Sequence, residues 1–164
     1  MMNKPQKIIE ELLIILLGLR MNILNPETIV SYADHIICSD ENPDSLFIDL
    51  SLSSKNKNEM IHHLHTYIEL NKTHIDQNRV LSIIKILNKE KIFNLESTVM
   101  VLYRLNNEIE IYGFERNVIY RLDDQYYLVS NKIVMQTMDE LETEIFDFLS
   151  NYSEKSEILN ILNC

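Results

Sequence analysis

Residues 137–149 read "TMDELETEIFDFL". Thr137 can cap the first turn of a helix, and Glu140, at the third helical position, can reach back to the Thr137 amide, which is the reciprocal capping box. Met138, Leu141, Ile145, Phe148 and Leu149 then fall on one face at helical spacing, while Asp139, Glu140, Glu142, Glu144 and Asp147 face away or flank it. The segment is therefore an amphipathic helix with an acidic exterior.

Working outward, the same start signals recur. "NPET" at 25–28 and "NPDS" at 42–45 each offer Asn as cap, Pro at the first helical position and an acid in the first turn, where it favours the helix dipole. The chain holds only two glycines, Gly18 and Gly113. Tight hairpins favour residues that tolerate positive φ, and phosphate-cradling loops need clustered glycines, so a strand-rich fold, a dinucleotide fingerprint and a P-loop are all disfavoured. Further helices are expected over 5–18, 26–38, 43–53, 57–71, 75–91 and 95–107, with short connections. The segment 111–136 supports two readings. Ile111, Phe114, Val118, Leu122 and Val129 share a helical face, but Val118, Tyr120 and Leu122 also alternate as in a strand. The expected class is all-α, a multi-helix antiparallel bundle or stacked helical hairpins. A helix runs through about Ser130 in this reading, with a small β-hairpin over 117–136 as the alternative.

At 164 residues the chain is expected to form a single domain, residues 1–164, with a core that needs no staple. The N-terminal run Leu12 to Leu19 is far shorter than the roughly 20 residues that span a bilayer, and no small-residue cleavage site follows it, so it reads as a deeply buried helix. Two cysteines, Cys38 and Cys164, form no disulfide framework or zinc pattern, and reduced thiols in a cytoplasm fit best. Cys38 has helix-compatible spacing with His35, but its apolar-periodic surroundings suggest a buried structural cysteine. The net charge of −10 without a basic stripe argues against nucleic acid. No cofactor motif is present, and neither a membrane nor a cofactor is expected as a partner.

"IHHLHTYIEL", residues 61–70, carries three of the five histidines. On a helical wheel His62, His65 and Glu69 fall within an arc of about 60°, so they could grip a divalent metal. That arc points away from the apolar face built by Ile61, Leu64 and Ile68 with Met60 and Tyr67 beside them, and His63 lies on the other side. An outward helix face offers no shaped cavity to orient ligands, so a solvated face is preferred, and no metal ligand is assigned. A metal-dependent enzyme using His62, His65 and Glu69 is the enzyme alternative. Asp123 and Asp124 diverge by about 100° on a helix, and are not a matched catalytic pair. No catalytic residue is assigned.

Charge is uneven along the chain. Residues 1–95 hold 10 Lys or Arg against 12 Asp or Glu, whereas residues 96–164 hold 5 against 13, a net of −8. Four of the eight tyrosines, Tyr112, Tyr120, Tyr126 and Tyr127, fall in the same part. They read first as core-edge residues, yet aromatic anchors among acids also suit the capture of a basic protein. "ETIVSYADHI", "LFIDLSLS", "YRLDDQYYLVSNKI" and "DELETEIFDFL" resemble pieces of small helical bacterial proteins, some of them immunity proteins of polymorphic toxin or contact-dependent inhibition systems. The resemblance implies a non-enzymatic cytoplasmic protein that covers a toxin's active or substrate-binding surface. The expected partner surface is Asp123, Asp124, Tyr126, Tyr127, Asp139, Glu142 and Glu144, meeting a basic protein. A homodimer through the tyrosine-rich region is the structural alternative.

Overall fold

The computed structural model describes residues 8–71 and 74–153. Among the described residues there are eight α-helices and no strand: α1 (Ile9–Arg20), α2 (Pro26–Ser39), α3 (Ser45–Leu52), α4 (Lys57–Asn71), α5 (Gln77–Lys89), α6 (Leu95–Glu108), α7 (Phe114–Ser130) and α8 (Met138–Ser150). The chain is all-α, and the order and approximate bounds follow the sequence periodicity. None of the described helices is long and apolar enough to cross a membrane.

The caps explain where helices begin. Asn25 accepts a 2.8 Å hydrogen bond from the Thr28 amide with Pro26 at the first helical position, as expected. Thr137 and Glu140 form the full capping box: the Glu140 amide donates to Thr137 Oγ1, and the Thr137 amide donates to Glu140 Oε2 at 2.7 Å. The "NPDS" start differs from expectation. Asp44, not Asn42, caps α3 by accepting from the Leu46 amide at 3.0 Å, and Pro43 stays outside the helix. Asp44 is extended and its second carboxylate oxygen accepts from the Tyr67 hydroxyl of α4 at 2.9 Å, so a tertiary contact selects the cap.

The helix ends explain how so few glycines suffice. At the end of α1 the amides of Ile23 and Asn22 return to the carbonyls of Gly18 and Leu19; at the end of α5 those of Ile92 and Lys91 return to Leu87 and Asn88; at the end of α7 those of Ile133 and Lys132 return to Leu128 and Val129. Each is a Schellman closure, and the left-handed position is filled by Asn22, Lys91 and Lys132 at φ 58°, 59° and 56°. Gly113, at φ 74°, opens α7 in a conformation that side chains rarely adopt.

The chain divides into two compact units. In the first, α2 packs on α3, α3 on α4, and α4 on α1. Every residue of α1 from Ile9 to Leu19 is buried, including Glu10 and Glu11, in keeping with the all-round apolar sequence. The buried Tyr32 ring meets Phe47 edge-on at 5.7 Å, and Met60, Leu64 and Ile68 of α4 face inward.

In the second unit each of α5, α6, α7 and α8 touches two others, closing a four-helix bundle. Val118, Leu122 and Val129 of α7 and Leu141, Ile145, Phe148 and Leu149 of α8 are buried as their spacing requires. The hairpin alternative over 117–136 is not formed, because this set buries itself at the helical period. Phe114, expected on the same face, is 73% exposed; it is the first residue after Gly113, and Ile119 takes the inward place.

Candidate functional site

In the second unit, α7 and α8 carry the expected partner surface and distribute it over two flanks. Asp123 and Tyr126 are half-buried and Asp124 and Tyr127 exposed. Burial, and then the neighbouring Asp124, raises the Asp123 carboxyl above its ordinary value. Tyr126 is likewise raised by burial and then by Glu96 of α6. Tyr120 meets Tyr103 of α6 edge-on at 6.0 Å with the Arg116 guanidinium 5.9 Å from its ring centre, so Tyr120 and Tyr126 close the core edge as expected. Tyr112 and Tyr127 do not: more than half of each is exposed. The Tyr112 hydroxyl instead donates to Glu110 at 3.0 Å, which raises it above its usual value.

On α8 the three acids split. Asp139 and Glu142 border a groove of about 410 Å³ together with Lys91, Thr143 and the half-exposed ring of Phe146. Lys91 binds Glu142 at 2.9 Å. Glu144 lies about 200° around the helix from Glu142. It pairs with Arg121 of α7 and accepts from Gln136 Nε2 at 3.2 Å. Glu142 and Glu144 are therefore partly neutralised inside the unit. Among the described residues Asp123, Asp124, Asp139 and Asp147 meet no cation within ion-pair distance. Lys91 and Arg121 had no sequence signal as partners, since they lie 51 and 23 positions from Glu142 and Glu144 and only the packing of the bundle brings each pair together.

Between those flanks the α7–α8 connection exposes Ile133, Val134 and Met135, the last completely. Only the hairpin alternative would have paired these residues in a strand; the favoured helix through about Ser130 ends before them. Their exposure follows from the Schellman turn, which lifts the chain away from the core after Val129.

In the first unit, α3 folds along α4 and leaves a groove of about 160 Å³ lined by Asp49 of α3 and by His62, His63, Thr66 and Tyr67 of α4, among others. The two imidazoles stand 6.0 Å apart, and His63 also lies 3.8 Å from Glu59. His65 and Glu69 are exposed. Among the described residues no three His, Cys, Asp or Glu side chains converge as a metal-ligand set, so His62, His65 and Glu69 share an arc without sharing a ligand position. His62 instead groups with His63, which the wheel alone had separated from it. Burial and the hydrogen bond to Asp44 push the Tyr67 hydroxyl up to about 12. Cys38, expected to be buried, is exposed. It lies on the side of α2 opposite the buried Ile29, Tyr32 and Ala33. Cys164 lies outside the described residues.

No family model matches the chain, and neither a curated protein nor a solved structure matches it.

Proposed function

We propose that this chain is a non-enzymatic protein-binding module that engages a basic protein through the acidic surface of α7 and α8. In its most concrete form it is a cytoplasmic immunity-type protein that neutralises a toxin domain by covering that domain's functional surface. The observation that carries this reading is the set of carboxylates on Asp123, Asp124, Asp139 and Asp147 that meet no cation among the described residues, in a segment of strongly negative charge. Unmatched surface charge of one sign steers an oppositely charged partner and rejects like-charged ones. The exposed ring of Tyr127 supplies apolar area beside it.

The test is to isolate the protein that co-purifies with the chain from its own cells, purify it, and titrate it against the wild type and an Asp123→Lys, Asp124→Lys, Asp139→Lys variant. The expected partner is rich in Lys and Arg, its binding weakens as salt rises from about 0.05 to about 0.3 M, and the triple variant associates at least about tenfold more slowly. A partner whose association responds to neither salt nor charge reversal overturns the reading.

A further inference from the structure

We propose that Ile133, Val134 and Met135, in the loop between α7 and α8, form the apolar anchor that inserts into a pocket on the same basic protein. This inference rests on the partner reading above and adds where the apolar contact is made.

Scattered exposed apolar residues are ordinary on a protein surface, but three in succession are not scattered. Ile133 is 59% exposed, Val134 39% and Met135 100%, with the exposed Tyr127 one turn back on α7. The loop that carries them is tied at both ends. On the α7 side the Lys132 amide donates to the Val129 carbonyl at 3.0 Å and the Ile133 amide to that of Leu128 at 2.9 Å. On the α8 side Gln136 donates to Glu144, itself paired with Arg121, and Thr137 is locked in the capping box. Such a segment loses little conformational freedom on docking, which is what an anchor requires. Met135 adds an unbranched, polarizable side chain that adapts to the shape of a pocket.

Charge selects the occupant. From Arg121 to Asp147 two cations, Arg121 and Lys132, stand against seven carboxylates. A second copy of the chain would bring the same excess of negative charge to the contact, and an anionic lipid surface would be repelled in the same way. A basic protein with an apolar recess meets both the rim and the centre, the arrangement in which a few central apolar side chains carry most of the affinity.

The experiment places benzoylphenylalanine, a photo-crosslinking residue, at Met135, at Phe114 or at Leu70 of the full chain, one at a time, in its own cells. Phe114 opens α7 and Met135 follows its end, so the helix length of about 25 Å lies between the two labels, and Leu70 is another exposed position, in the first unit. The crosslinked protein is then purified and titrated against wild type, an Ile133→Ser, Met135→Ser variant and an Asp123→Lys, Asp124→Lys variant. The expected result is an adduct at position 135 alone, to a protein of isoelectric point above about 9. The serine variant should keep the wild-type circular dichroism and melting temperature, and should bind at least about tenfold more weakly through faster dissociation. The lysine variant should act mainly on association.

Unchanged affinity in the serine variant, with weakened binding in the lysine variant, overturns the anchor and leaves the acidic surface standing. An adduct of the chain with itself, confirmed by sedimentation, or binding to phosphatidylserine vesicles overturns the anchor in favour of self-association or a membrane. Unchanged binding in both variants, or no basic adduct at any position, overturns the anchor and the partner reading together.

Discussion

Tyr32 sits fully buried in the first unit with no hydrogen-bond partner for its hydroxyl among the described residues. Burial, then the nearby Glu11 and Tyr67, raises that hydroxyl far above its ordinary value, so it stays protonated. A buried polar atom without a partner costs stability, and its removal at constant shape is neutral or favourable. Tyr32→Phe is therefore expected to unfold at the same or higher denaturant concentration, with a gain of up to about 1 kcal/mol; a clear loss in a denaturation titration would refute this. Asp123 gives a pH-dependent counterpart. Its carboxyl is raised, so the fold favours the protonated form, and ionisation removes stability as pH rises from the ordinary value of 3.8 through the raised one. The melting temperature of Asp123→Asn should match that of the wild type in acid and rise above it at neutral pH. At this scale the sequence was legible where a residue acts locally, as Asn25 does on Thr28, and illegible where a distant side chain chooses. Asp44 displaced Asn42 as cap with help from Tyr67, 23 residues away.

Each helix reads from its period, and α2 and α8 also from their caps, because both signals depend on residues within one or two turns. What the period cannot reveal is the closure of a helix by a residue unsuited to it. Lys132 holds the left-handed position that ends α7 at φ 56°, where a side chain costs about 1 kcal/mol or more relative to glycine. Lys132→Gly should stabilise the protein by about 0.5–1 kcal/mol, read as a higher denaturation midpoint. An unchanged or lower midpoint would show that the closure carries no strain. The hairpin alternative belongs to this same element, since Val118, Tyr120 and Leu122 alternate as strand residues do, and only the neighbours on α6 and α8 decide for the helix. The exposed Phe114 and the exposed Cys38 are errors of the same origin. Each belongs to an apolar pattern whose inward side is fixed by packing, not by spacing.

For the molecule as a whole, charge is the property that the sequence displays most directly and local geometry redistributes. The excess of acid was plain from composition, but the pairing of Glu142 with Lys91 and of Glu144 with Arg121 was not, because it joins positions far apart in the chain. With a net charge of −10, self-repulsion should destabilise the compact state at neutral pH. Raising ionic strength from about 0.02 to about 0.2 M should therefore raise the melting temperature at pH 7, with a smaller effect near the isoelectric point; a melting temperature that falls with salt at pH 7 would mean that ion pairs outweigh repulsion. The fully buried α1 bears on what happens once the fold is lost. From Leu12 to Leu19 it is an uncharged run rich in Leu and Ile, and unfolding frees a segment with the composition of an aggregation nucleus. Heating should therefore end in precipitate and not in a reversible transition, and a second scan of the same sample should show no peak. Stability in such a protein is in practice the time for which α1 stays covered.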